Sequence, residues 1–274
     1  MTTPSGASAS PPPFAPRGVQ ETLVIPLYAK ALDYRSKHSI LHDAKADEIV
    51  RSTDYDFEHL RSAGTASLFA ARARQLDDWV REFLAANPDG VVLNLGCGLD
   101  SRISRIAPPT TVWWADVDFP EVIELRRRYF ADGAGYRMLA AALTPPTWLE
   151  RVPRDRPGIV IADGVFEYLA EDEVRTVLTA VIGHLPRGQL GFDLLSSRSV
   201  ALGNARLRAK TGAVLKWGVD DLRTVDRLAT GMRRTATQSL LFSKFLSLRF
   251  RLLASPLRLF PRARRAMRLV RYDF

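Results

Sequence analysis

The sequence predicts an α/β domain built on a mostly parallel sheet with helices on both faces, and three observations carry that reading. First, Val91-Val92-Leu93-Asn94-Leu95 is a short apolar run of the kind that a strand buried on both faces requires, and it breaks into Gly96-Cys97-Gly98. Second, further strand-like runs alternate with stretches of helical spacing along the rest of the chain. Third, the next strand closes on Asp116-Val117-Asp118, with Asp118 lying 20 residues beyond Gly98, the length of one strand-helix-strand unit.

Residues 1–20 are rich in Ser, Ala and Pro, lack an apolar core long enough for a signal peptide, and are expected to form a disordered arm. Apolar spacings of three and four then predict helices over 22–33, 45–51 and 66–86, the last stopping at Asn87-Pro88-Asp89-Gly90 before the first strand. A helical stretch over 100–107 ends at Pro108-Pro109. Thr111 to Ala115 opens the second strand, and Pro120-Glu121 opens the next helix. Tyr136 to Ala140, Gly158 to Ala162 and Gln189 to Leu195 read as strands three, four and five, with a helix from Glu171 to His184 between the last two.

Ligands of open α/β sheets bind at the carboxyl ends of the strands, where glycines let a ligand approach the backbone. Gly96-x-Gly98 has that position, although the same pattern also occurs in ordinary tight turns. The third glycine of the dinucleotide fingerprint is absent, since Ser101 and Arg102 follow instead, so the turn suits a ligand without a pyrophosphate. Asp118, favoured over Asp116 because it is later in the strand, would accept both hydroxyls of a ribose. Capping the following helix is the alternative role for the same carboxylate.

These residues resemble the class I S-adenosylmethionine-dependent methyltransferases of the leucine carboxyl methyltransferase type, particularly the bacterial polyketide O-methyltransferase branch. The resemblance rests on ordered blocks: 22–30, 72–77, 94–102, 117–126, Ala162-Asp163-Gly164-Val165-Phe166-Glu167-Tyr168-Leu169 and Lys216-Trp217-Gly218-Val219-Asp220-Asp221. It implies a Rossmann-like sheet of seven strands under an N-terminal helical cover. Residues 21–274 would form a single domain, divided into the cover (21–90), a cofactor-binding core (91–195), and an acceptor-pocket insertion with a basic C-terminal segment (196–274).

The resemblance also implies site roles for S-adenosyl-L-methionine. Gly96 and Gly98 admit the cofactor's backbone approach, and Asp118 holds the ribose. Arg72 holds the cofactor carboxylate, with Arg74 as the alternative and Lys30 as a second contact, and Asp163 holds the methionine ammonium. Relatives carry an acid or serine near Ala142 to bind the adenine amino group; here that side chain is missing, and recognition falls to the backbone around Ala142 and Leu143. Glu167 stands where relatives carry an apolar residue, so it either lines the acceptor pocket or faces solvent. Asp163 has its own alternative role as an N-cap for the turn at 164–168.

Composition fits one globular enzyme: 274 residues with 46% hydrophobic content. The lone cysteine, Cys97, excludes an internal disulfide and is expected in a cytoplasmic protein. The formal charge of +9 is concentrated in Leu240 to Phe274, which holds nine basic residues against one acid. The nearly neutral remainder argues against a nucleic-acid-binding surface. Three readings of the tail stay open: a packed segment with solvated arginines, a patch for an anionic substrate, and a weak peripheral membrane contact. No run is long enough to span a bilayer.

His38, His42, His59 and His184 show no metal-ligand spacing, and no nucleophile triad is visible. Methyl transfer explains this, because a sulfonium carries its own leaving group and catalysis is chiefly positioning. The sequence therefore predicts an O-methyltransferase acting on a carboxyl or hydroxyl of a small molecule of the polyketide type. The alternatives are a nicotinamide-dinucleotide-dependent oxidoreductase and a non-catalytic binding protein of the same fold.

Overall fold

The computed structural model describes residues 21–60, 65–210 and 212–274. The arm expected at 1–20 lies outside the described residues. In chain order the elements are α1 (Glu21–Tyr34), α2 (Ala44–Arg51), α3 (Thr65–Ala86), β1 (Val91–Leu95), α4 (Arg102–Ile106), β2 (Trp113–Asp118), α5 (Pro120–Arg126), β3 (Tyr136–Ala140) and β4 (Gly158–Ala162). They continue with α6 (Glu171–His184), β5 (Gly188–Leu195), α7 (Ser197–Lys210), α8 (Leu222–Asp226), β6 (Arg233–Ser239), α9 (Leu248–Ala254), α10 (Pro261–Arg265) and β7 (Met267–Asp273).

The seven strands form one sheet in the order β3-β2-β1-β4-β5-β7-β6. Strands β1 to β5 pair in parallel, whereas β7 runs antiparallel to both β5 and β6, so the sheet is mixed. Strand alternation distributes the core. Leu93, Leu95, Val117, Val160 and Phe192 join a cluster with Val174, Val177 and Val181 of α6 on one face. Val92, Trp114, Ile159 and Ile161 join a cluster with Leu27 of α1, Ile49 of α2 and Leu76 and Trp79 of α3 on the other. Both faces are thus covered by helices, and the period-two pattern of the strands decides which residue meets which layer.

Register sets the position of the site. Leu95 pairs with Val117 on one side and Ala162 on the other, so Gly96, Asp118 and Asp163 emerge together at the carboxyl edge of three adjacent strands. The expected crevice residues are therefore neighbours by construction.

Two expected boundaries shift. The helix expected from Asp100 starts at Arg102, with Ser101 as its N-cap residue and the Asp100 amide donating back to the Cys97 carbonyl at 2.9 Å. Ser101 Oγ donates to Asp43 at 2.5 Å, and Asp100 receives Arg105 at 2.8 Å. The second strand starts at Trp113 rather than Thr111. Thr111 Oγ1 instead donates to the carbonyl of Pro88, and the Val112 amide to that of Pro109, closing a turn before the strand.

The basic tail divides physically. Met267–Asp273 is the strand β7, with Leu269, Val270 and Tyr272 fully buried between β5 and β6. Upstream, α9 and the turn that joins it to α10 leave Leu248, Leu252, Leu253, Leu259 and Phe260 exposed among arginines. No helix of the described residues is long and apolar enough to cross a membrane.

Candidate functional site

A cavity of about 220 Å³ opens at the carboxyl edge of β1 and β4, roofed by α1 and walled by α3. Its lining includes Lys30, Arg72, Gly96, Gly98, Asp163 and Glu167. Leu207 of α7, Leu215 and Met267 contribute apolar surface from the C-terminal third.

The turn after β1 is made by glycines that adopt the left-handed region, Gly96 with φ 57° and Gly98 with φ 49°. A Cβ on Gly96 would lie 2.6 Å from Val165 Cγ2, so both conformation and space require glycine there. Cys97 between them is buried, and burial pushes its thiol well above the ordinary range, consistent with a small filler and not a nucleophile.

Asp118 closes this turn from the next strand. Its carboxylate accepts the Gly98 amide at 2.7 Å and the Phe119 amide at 2.8 Å. The helix-capping alternative is not what the structure contains, since α5 has Phe119 at its N-cap and no side-chain cap bond. Burial pushes the Asp118 carboxyl up to about 6, although the two amides pull it down. Asp116, two residues earlier, is consumed inside the protein by Arg126, by Tyr136 Oη at 2.6 Å, by Trp114 Nε1 at 3.0 Å and by Asn94 Nδ2 at 2.9 Å. Arg126 also donates to the Gly98 carbonyl at 3.0 Å, tying the turn to that buried cluster.

Arg72 of α3 enters the cavity wall, with Nε 2.6 Å from Asp163 and Nη1 2.8 Å from Asp193 of β5. Burial disfavours its charge, but Asp163, Asp193 and Glu167 outweigh that and hold the cation more firmly than usual. Gly164 (φ 74°) keeps this space open, because a Cβ there would meet Arg72 Nη2 at 2.8 Å. Arg74 pairs instead with Asp78 and the Ile40 carbonyl and is absent from the cavity lining. Asp163 serves no N-cap; Val165 holds that position of the following short turn. Burial works against the Asp163 charge, yet Arg72, Lys30 and Arg102 keep its carboxyl below the ordinary range.

Sequence reasoning missed the network beneath these groups. Arg102, fully buried, reaches Asp77 at 2.7 Å, Asn94 at 2.8 Å, Asp100 at 3.1 Å and Asp163 at 3.0 Å. Arg105 joins Asp77, Asp43 and Asp100, and Lys30 pairs with Asp100 at 3.0 Å. Asp77, at the far end of the 72–77 block, serves Arg102 and Arg105, not Arg72. Asp118, Ala142 and Leu143 do not line the cavity. They sit one and two strands along the same edge, where the Ala141 amide donates to the Asp118 carbonyl at 2.8 Å.

A leucine carboxyl methyltransferase model matches residues 23–182, which include the glycine turn, Asp118 and Asp163. The chain belongs to the leucine carboxyl methyltransferase family. This methyltransferase is 42% identical to the tetracenomycin polyketide synthesis O-methyltransferase TcmP of Streptomyces glaucescens, over 94% of this chain and 97% of the relative. It is 32% identical to the S-adenosyl-L-methionine-dependent methyltransferase dpfgK of Gibberella zeae, over 79% and 80%. The fold is shared with a crystal structure of a methyltransferase-like protein from Thermobifida fusca YX, at TM-score 0.61 and 17% identity, covering 97% and 98% of the two chains. Membership in this family sets aside the oxidoreductase alternative.

Proposed function

We propose that the chain transfers the methyl group of S-adenosyl-L-methionine to an oxygen of a small molecule of the polyketide type. The O-methyltransferase activity follows the family and the relative TcmP, and the observation that carries the site reading is the convergence of Gly96, Gly98, Asp118 and the Arg72–Asp163 pair on one sheet edge. When bound, the cofactor supplies a methyl on a positively charged sulfur that is its own leaving group.

The residues present fit such a group. Gly96 and Gly98 line the cavity in left-handed backbone conformations, which puts main-chain groups of the turn at its wall. Asp118 keeps acceptor capacity beyond its two amide bonds and presents it to a vicinal diol. Arg72 and Lys30 offer positive charge to a carboxylate, and Asp163 offers negative charge to an ammonium, so the pair matches both ends of an amino acid. The adenine end is assigned to backbone groups around Ala142 and Leu143, next to Ala141, whose amide donates to the Asp118 carbonyl at 2.8 Å. Residues of α1 and α3 wall the cavity, and positioning of the acceptor oxygen is assigned to the apolar surface of Leu207, Leu215 and Met267.

The acceptor is found by incubating the protein with methyl-labelled cofactor and an extract of polyketide-producing cells. Label in a small organic product supports the reading, and mild alkaline release as methanol distinguishes an ester from an ether. Label confined to the protein fraction, or none, contradicts it.

The segment 248–265 supports a second proposal, a weak peripheral contact with anionic lipid. Leu253 and Leu259, each 83% exposed, project among Arg249, Arg251, Arg258 and Arg262 with no acid nearby in sequence.

A further inference from the structure

One carboxyl in the cavity wall has no cation of its own. Glu167 is 7% exposed, lines the cavity, and its Oε2 has no hydrogen-bond partner. Its main chain is pinned, because its carbonyl accepts the amides of Lys216 at 2.7 Å and Trp217 at 3.2 Å. The side chain therefore stays at the wall. Arg72 from α3, Asp163 at the end of β4, Asp193 from β5 and Tyr168 from its own turn are the charged and titratable groups around it.

The nearby cations make their ion pairs within the protein with carboxylates other than Glu167. Arg72 contacts Asp163 at 2.6 Å and Asp193 at 2.8 Å, Arg102 contacts Asp163 at 3.0 Å, and Lys30 contacts Asp100 at 3.0 Å. A third acid beside one guanidinium is uncompensated, and burial together with Asp193 pushes the Glu167 carboxyl up to about 8. It is mostly protonated at neutral pH. A buried neutral acid at a ligand cavity is a cost that a cationic ligand relieves.

The cofactor carries a sulfonium, an ammonium and a carboxylate, a net charge of one; its demethylated product has lost the sulfonium charge. Resting on the cofactor reading above, we infer that Glu167 reads the charge on the cofactor's sulfur: its carboxyl releases a proton to solvent when the sulfonium form binds and keeps that proton when the neutral thioether binds. The resulting carboxylate would supply a negative charge at the cavity wall for the cationic form of the ligand. After methyl transfer the sulfur is neutral, Glu167 recovers a proton, and the pairing that favoured binding is gone, which promotes product exchange.

The experiment is isothermal titration calorimetry near neutral pH in two buffers of different ionisation enthalpy, with S-adenosylmethionine and S-adenosylhomocysteine, on the wild type and on Glu167→Gln. At about pH 6.5 the ammonium of both ligands is protonated, even though the sulfonium lowers its pKa in one of them, so the difference in proton count isolates the sulfur charge. The expected result is more than half a proton released with the sulfonium ligand and none in excess with the thioether. Relative to the thioether, affinity for the sulfonium ligand should also increase as pH increases, by up to about tenfold per pH unit, until about pH 8. Glu167→Gln should remove that difference. Equal proton counts for the two ligands overturn the inference, as does a variant that retains the difference. Should the variant fail to fold by its melting curve, the wild-type comparison still decides. Absence of any binding by S-adenosylmethionine overturns the cofactor reading itself, a result distinct from binding without proton release.

Discussion

Arg72 Nε and Asp163 Oδ1 stand 2.6 Å apart in the cavity wall, both almost fully buried, and they join α3 to the carboxyl end of β4. An ion pair so deeply placed is expensive to desolvate and is retained here with Asp193 on the far side of the guanidinium. It couples the N-terminal helices to the sheet, and under the proposed function its two charges serve the two ends of one ligand.

Removing the cation should therefore damage fold and function together. Arg72→Met leaves Asp163 and Asp193 without their shared partner, and is expected to cost about 3 to 5 kcal/mol of stability together with loss of measurable cofactor binding. Denaturant melts and calorimetry check both. Unchanged stability would mean that the pair is not the junction described.

The pH dependence of binding should report Asp118. Ribose hydroxyls donate to the ionised carboxylate, so the bound form titrates below the value of about 6 in the free protein. Measured with S-adenosylhomocysteine, for which Glu167 contributes no proton release, affinity should be flat above that value and fall by up to about tenfold per pH unit below it. The sign for Asp118's share of unliganded stability is opposite: its folded-state value lies above the ordinary one, so that share declines as pH rises between them. Affinity that strengthens as the solution is acidified would contradict the assignment.

Gly96→Ala tests the turn. The substitution combines a positive φ with a 2.6 Å overlap on Val165, and about 2 kcal/mol of destabilisation is expected. Adding Val165→Ala should recover the steric part and leave the conformational part, about 1 kcal/mol. Thermal or denaturant unfolding of the single and double variants separates the two.

The strand framework was legible because its pattern is local. The limits of β3, β4 and α6 follow directly from runs such as Gly158 to Ala162, and the shared edge of Gly96, Asp118 and Asp163 follows from parallel register. The network around Arg102 was not legible, although Arg102 itself was visible in a motif. Its partners Asp77 and Asp163 are 25 and 61 residues away, and nothing in a linear spacing distinguishes a solvated helix arginine from a buried one. Arg126 was hidden for the same reason: its hold on Gly98 and Asp116 exists only once α5 packs against β2 and β3.

The exposed leucines of the C-terminal segment give a lipid prediction. Sedimentation with phosphatidylglycerol vesicles, but not with phosphatidylcholine vesicles, is expected, with about 1 kcal/mol contributed per arginine at the surface and weakening in salt. Leu253→Glu with Leu259→Glu should abolish it without lowering the melting temperature, since both side chains are 83% exposed. Equal sedimentation with both lipids, or none, would contradict it.

The most direct test of the central claim is calorimetric titration of S-adenosylmethionine into the wild type and into Asp118→Ala. The account predicts a saturable single-site isotherm for the wild type and no measurable binding for a variant that still melts cooperatively. Undiminished affinity in Asp118→Ala would remove the ribose assignment, and no binding by the wild type would contradict the cofactor site as a whole.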